Sequence, residues 1–174
     1  MPVPAEVAAY LQAKLAAAGY GVSIRVGVGV AFVYDENLLV FVYADAVSWL
    51  IGQGQATWLP VRDGQAVDRA TAVVVQLFHQ TRIPLAVEEL RRRLGIAQVP
   101  TSSVDSEWAA DGSGAAQVRT QCGDVEVTVT VSGGWYQWRS RDGEWRRLPW
   151  AGDAAERLAR EIRTQLQEPG EASS

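Results

Sequence analysis

Apolar positions along the first third of the chain change period twice. Residues 6–18 place Val7, Tyr10, Leu11 and Leu15 at helical spacing, with Gly19 and Gly21 as the stop, so the pattern predicts an amphipathic helix. Residues 22–34 then alternate, with Val22, Ile24, Val26, Val28, Val30 and Phe32 on one side; Gly27 and Gly29 mark a bulge or strand break. Asp35-Glu36-Asn37 turns the chain into a strand at 38–43. A hairpin around residues 52–54, the exit Trp58-Leu59-Pro60 and a helix over 66–80 follow.

The same order recurs 89 residues later. Laid over residues 124–166 without a gap, residues 35–77 match at Asp35/Asp124, Val40/Val129, Val42/Val131, Trp49/Trp138, Gly54/Gly143, Leu59/Leu148, Pro60/Pro149, Ala66/Ala155, Ala70/Ala159, Gln76/Gln165 and Leu77/Leu166. Chance would give roughly 3 matches in such a window. The expected fold class is α+β: a tandem duplication of a three-stranded antiparallel meander plus helix (βββα), each unit preceded by a helix. The organisation expected is a first unit at 1–84, a linker helix and polar linker at 85–114, a second βββα unit at 115–167 and a disordered tail at 168–174.

Turn chemistry assigns faces in the second unit. Two-residue loops at Gly133-Gly134 and Asp142-Gly143 set Val131 opposite Tyr136, Val129 opposite Trp138, and Trp138 opposite Arg147. One face then holds Val127, Val129, Val131, Tyr136, Trp138 and Trp145, covered by Leu158, Ile162 and Leu166 of the following helix. The other face carries Thr128, Thr130, Trp135, Gln137, Arg139, Arg146 and Trp150. In this register Arg139 faces Arg146, an unfavourable pair of like charges unless solvent or an anion intervenes. Arg139, Arg146, Trp135 and Trp150 are therefore the candidates for binding an anion or nucleic acid.

Carried back by 89 residues, the polar positions of that face become Leu39, Phe41 and Leu50 in the first unit. Its sheet is apolar on both sides and needs cover on both, from the chain itself, from a second copy or from another protein. Leu39, Phe41 and Leu50 are the candidate contact residues.

Composition narrows the function. The net charge of −4 divides into −1 over residues 1–84 (5 basic, 6 acidic) and −3 over 85–174 (11 basic, 14 acidic), so neither half has a general excess of cations for nucleic acid. With one cysteine, Cys122, no internal disulfide forms, and a cytoplasmic location is expected; no apolar stretch suits a membrane span. A catalytic site is not apparent. His79 is the only histidine and is read as structural, Cys122 as a small buried hydrophobe, and Asp35 and Asp124 as turn residues. Gly27-Val28-Gly29 lacks the third glycine of a dinucleotide loop, and Lys14 is the sole lysine, so no phosphate-loop lysine exists. Neither cofactor nor metal is expected.

Residues 70–80 and 85–94 with Gly95 resemble the first two helices of a helix-turn-helix, and Val87-Glu-Glu-Leu90 with Leu94-Gly95-Ile96 is similar to the second helix and turn of bacterial regulators. The recognition helix would then be residues 100–110, which carry Asp105 and Glu107 and no basic residue. The expectation is a non-enzymatic protein-interaction or regulatory module that binds a protein partner or itself as a homodimer. The alternative is a nucleic-acid- or anion-associated protein.

Overall fold

The computed structural model describes residues 2–36, 38–50, 57–108 and 114–167. The chain divides into unit 1, Met1–Thr81, and unit 2, Arg82–Ser174. It is α+β, with two five-stranded antiparallel sheets and three helices among the described residues.

Unit 1 begins with α1 (Pro4–Ala17). Proline is tolerated in the first turn, where its missing N–H has no intrahelical partner to serve. Gly19, at φ +88°, reverses the chain so that the Tyr20 N–H donates to the Leu15 carbonyl at 2.9 Å. Next come β1 (Ser23–Val26), β2 (Val30–Tyr34), β3 (Leu39–Tyr43), β4 (Ala46–Leu50) and β5 (Thr57–Pro60), paired in chain order. Ala31, Val33, Val40, Val42, Val47 and Trp49 form a buried face, and α1, which packs on β1, β2 and β3, buries Val7, Ala8, Leu11 and Leu15. Asp35 works as a turn residue, accepting the Leu38 N–H at 2.9 Å.

The glycines at 27 and 29 do more than interrupt one strand. Gly27 donates its N–H to the Val30 carbonyl at 2.8 Å and Gly29 sits at φ +73°, closing a hairpin with Val28 fully exposed at its tip. The single alternating strand expected over 22–34 is thus two strands. Ile24 faces Val33 and Val26 faces Ala31, so Val30 and Phe32 move to the opposite side of the sheet.

Helix α2 (Gly64–Ile96) is the largest departure from the expected plan. Asp63 caps it, its Oδ1 accepting the Ala66 N–H at 2.7 Å. The helix continues through Pro84, which has no N–H to offer the Gln80 carbonyl. The expected first-unit helix and linker helix are therefore one element, and the boundary between the two units falls within it. His79 lies in its middle, bonded through Nδ1 to the Tyr20 hydroxyl. The helix-turn-helix reading fails here, because no turn separates its two helices and Thr101–Trp108, where the recognition helix was expected, is strand β6.

Unit 2 continues from β6 through β7 (Gly114–Cys122), β8 (Val125–Ser132), β9 (Trp135–Arg139) and β10 (Trp145–Pro149) to α3 (Ala154–Gln167). The expected polar linker supplies β6, and the expected three-stranded meander is the β8–β9–β10 part of a five-stranded sheet. Ile83, Ala86, Val87, Leu90 and Leu94 of α2 share one cluster with Ala116, Val118, Val127, Val129, Val131, Tyr136 and Trp138 of the sheet and Leu158, Ala159, Ile162 and Leu166 of α3. Tyr136 adds a directed link, its hydroxyl donating to the Ala86 carbonyl at 3.0 Å; burial, and secondarily the charge of Glu89, raises its phenol above the usual range. Arg93 ties the two helices, bonding Glu89 at 2.9 Å and Glu156 at 3.2 Å. Cys122 is exposed at the end of β7, not buried as expected. The hairpin tip expected at residues 52–54 and the tail at 168–174 lie outside the described residues.

Trp138→Ala should lower stability by about 3–5 kcal/mol, since the indole is buried in the core that the sheet shares with both helices. Tyr136→Phe should cost about 1 kcal/mol by removing one hydrogen bond while retaining the ring. Urea unfolding followed by far-ultraviolet circular dichroism measures both.

Candidate interaction surface

Register places every outer side chain. In β8 and β9, Val129 faces Trp138 and Val131 faces Tyr136, the pairing implied by Gly133-Gly134. In β9 and β10 the expected pairing is off by one residue: Trp138 faces Arg146 and Arg139 faces Trp145. The loop explains the slip. The Gly143 N–H donates to the Ser140 carbonyl at 2.9 Å, the Ser140 N–H donates to the Glu144 carbonyl at 2.8 Å, and Gly143 is at φ +85°. This is a three-residue loop, Arg141-Asp142-Gly143, with its glycine in the left-handed position. Asp142 holds it: Oδ1 accepts the Ser140 hydroxyl and, at 3.1 Å, the Glu144 N–H. Those bonds keep the Asp142 carboxyl below its ordinary range, the Ser140 hydroxyl contributing most.

The slip separates the four anion-site candidates. Arg139 stays on the outer face and donates from Nε to the Gly143 carbonyl at 2.9 Å. Arg146 falls on the helix side, where it bonds Glu161 of α3 at 2.9 Å and Asp142 at 3.4 Å. Trp150 packs on the core, its ring 6.2 Å from that of Tyr136. Trp135 remains outside with the Arg147 guanidinium 4.0 Å from its ring centroid. The like-charge pair expected at 139 and 146 does not form, and Trp145, expected inside, is 65% exposed on the outer face. A cleft of about 450 Å³ between the loop and α3 is lined by Ser140, Arg141, Asp142, Arg146 and Glu161, and both of its carboxylates engage Arg146.

The outer face of the unit 1 sheet is of another kind. One row crosses all five strands as Arg25, Phe32, Phe41, Ser48 and Trp58, each facing the next. A second row runs Ser23, Tyr34, Leu39 and Leu50; a third includes Val30, Tyr43, Ala46 and Pro60. The rings touch in sequence: Phe32–Phe41 edge to face at 5.5 Å, Phe41–Tyr43 at 6.4 Å, and Tyr43–Trp58 stacked at 5.2 Å. Leu39 is 36% exposed, Leu50 38% and Trp58 56%, while Phe32, Phe41 and Tyr43 are half-buried among their neighbours. A groove of about 670 Å³ runs along β1 and β2, lined by Arg25, Val26, Val30, Phe32, Tyr34 and Leu39.

Leu39, Phe41 and Leu50 thus share one face, as their spacing implied. Phe32, Tyr34, Tyr43, Trp58 and Arg25 belong to it as well and were not anticipated. The glycines at 27 and 29 were the available signal for Phe32, since a hairpin there reverses the face of every later residue in the run. At the matching positions of unit 2 the row is Asp105, Gln117, Thr130, Gln137 and Arg147, a solvated polar surface.

Among the described residues, no helix is long and apolar enough to cross a membrane, and no three His, Cys, Asp or Glu side chains gather as a metal site. No protein-family profile, curated protein or solved structure matches this chain.

The Asp142 carboxyl should titrate below its ordinary value near 3.8, and Ser140→Ala should move the midpoint upward. Because the pKa is depressed on folding, any stabilisation is complete above the unfolded value of about 3.9 and is lost as pH falls through the lowered folded value. Carboxyl-carbon chemical shifts recorded against pH read the midpoint directly.

Proposed function

We propose that this chain is a non-enzymatic protein-interaction module whose contact surface is the outer face of the unit 1 sheet. The observation that supports this most is the row Arg25-Phe32-Phe41-Ser48-Trp58, which sets the half-buried Phe32 and Phe41 beside the exposed Trp58, Tyr34, Leu39 and Leu50 on one sheet face. Contiguous apolar surface of this sort on a folded domain marks a contact site, and aromatic side chains backed by arginine dominate the energetics of such contacts. We read the repeat at 89 residues as a duplication whose copies diverged on this face. Phe41, Leu39, Leu50 and Trp58 of unit 1 stand where unit 2 has Thr130, Thr128, Arg139 and Arg147. Nucleic-acid association through Arg139, Arg146, Trp135 and Trp150 is the weaker reading, because those residues lie on two sides of their sheet.

The test compares wild-type protein and Phe41→Glu for association, by light scattering for self-association and by affinity capture for other proteins, at low and high salt. Association should be lost with Phe41→Glu and should change little with ionic strength. Unaltered association in the variant refutes this surface, and binding that collapses steeply with salt points to nucleic acid.

A further inference from the structure

The outer face of the unit 1 sheet has a property that a general apolar surface lacks: it complements itself when reversed. A two-fold axis lying in the contact plane and running along the middle strand, β3, reverses the order of strands in an opposed copy while keeping each row aligned. Read backwards, the central row becomes Trp58, Ser48, Phe41, Phe32, Arg25. Phe41 then meets its own counterpart on the axis. Phe32 falls against the position of Ser48, a buried residue between Phe41 and Trp58 in the row. Arg25 falls against the exposed ring of Trp58. In the adjoining row Leu39 meets Leu39, and Tyr34 meets Leu50.

Charge is what selects this occupant. Arg25 is the only charged side chain in the three rows among the described residues, and no ion pair or hydrogen bond holds it. Covering such a surface with an apolar partner would bury an unpaired guanidinium, which is unfavourable. A second copy supplies the face of an indole at the required place, twice, by symmetry, and a cation over a tryptophan ring is among the favourable ways to desolvate arginine. Two sheets packed face to face with their strands nearly aligned is an ordinary sandwich geometry.

We propose that the outer face of the unit 1 sheet is a self-association surface, on which a second copy of the chain lies face to face about an axis along β3, with Arg25 of each copy over Trp58 of the other. The proposal rests on the interaction reading given above and names the partner. Four inter-strand gaps of about 4.8 Å and four rises of about 3.4 Å give a patch of about 19 by 14 Å between Cα positions. That footprint is below the roughly 800 Å² a side of a standard stable interface, so the dimer should be weak and should dissociate on dilution.

The experiment is light scattering of the full chain over a concentration series, for wild type, Arg25→Lys, Arg25→Glu and Trp58→Ala. Arg25 and Trp58 are exposed, so these variants are expected to fold, with circular dichroism as the check. The dimer should be retained in Arg25→Lys and should dissociate at concentrations at least tenfold higher in Arg25→Glu and Trp58→Ala. Alongside it, Leu39→Cys in a Cys122→Ser background should link to its own copy through a bis-maleimide spanning about the 10 Å between packed sheets. Thr128→Cys, at the matching place in unit 2, should not. A dimer indifferent to Arg25→Glu and Trp58→Ala, or one that links through Thr128→Cys instead, overturns this arrangement. A wild-type monomer that captures a different protein through Phe41 overturns the second copy while keeping the interaction reading. A monomer whose captured proteins are unaffected by Phe41→Glu overturns both.

Discussion

The structure depends on the requirement that each five-stranded sheet keep one face dry. An antiparallel sheet can leave one face to water if the other is packed; α1 packs on β1, β2 and β3 of unit 1, and α3 with the later turns of α2 shares a cluster with the unit 2 sheet. In unit 1 the buried positions of α1 accompany Ala66, Ala70, Val74 and Phe78 of α2; in unit 2 the later turns of α2 join α3 around Leu90, Leu94, Leu158 and Ile162. A single 33-residue helix thus contributes to the core of both units, burying side chains on both sides of Pro84. Proline in a helix interior costs about 3 kcal/mol. The tertiary burial of Phe78, Ile83, Leu90 and Leu94, each worth about 1.5–3 kcal/mol, outweighs it.

The inner faces were legible because period and turn chemistry agree there. Val127, Val129, Val131, Tyr136 and Trp138 alternate, Gly133-Gly134 pins the hairpin, and all five are buried. The same logic failed one hairpin later. Asp142-Gly143 reads as a two-residue turn, yet Ser140 and Glu144 offer the Asp142 carboxylate a hydroxyl and an N–H, and accepting both is compatible with a loop one residue longer. One residue of slip exchanged Trp145 for Arg146 between faces and dissolved the expected arginine pair. It also carried Trp150 from the outer face to the core.

Other elements were hidden for different reasons. β6 is an edge strand whose sequence, Thr101-Ser-Ser-Val-Asp-Ser-Glu-Trp108, is polar apart from Val104 and Trp108, so its strand character rests on pairing with β7 and leaves little apolar alternation to detect. β1 and β2 looked like one strand because their sequence alternates throughout; only the backbone at Gly29 turns them into a hairpin. The fusion of two expected helices into α2 was obscured by Pro84, which locally argues for a break and is overridden by packing.

Within the duplication we propose, the two kinds of position experience different pressures. Val40/Val129, Val42/Val131, Trp49/Trp138, Ala66/Ala155 and Ala70/Ala159 are identical and buried in both units; a change at any of them must fit a close-packed layer between sheet and helices, where a single methylene is felt. Outer positions carry no such restriction from the fold. A sheet face meeting only water gains solubility from Thr128, Thr130, Gln137 and Arg147, and unit 2 has them. Holding Leu39, Phe41, Ser48 and Trp58 at the same four places gives the isolated unit no packing against a helix, and it leaves a flat apolar sheet that favours non-specific association. Random divergence under solvent exposure would scatter polar residues across that face. Phe32, Phe41 and Trp58 in one row, with a single charge at its end, are what a specific partner on that face would favour.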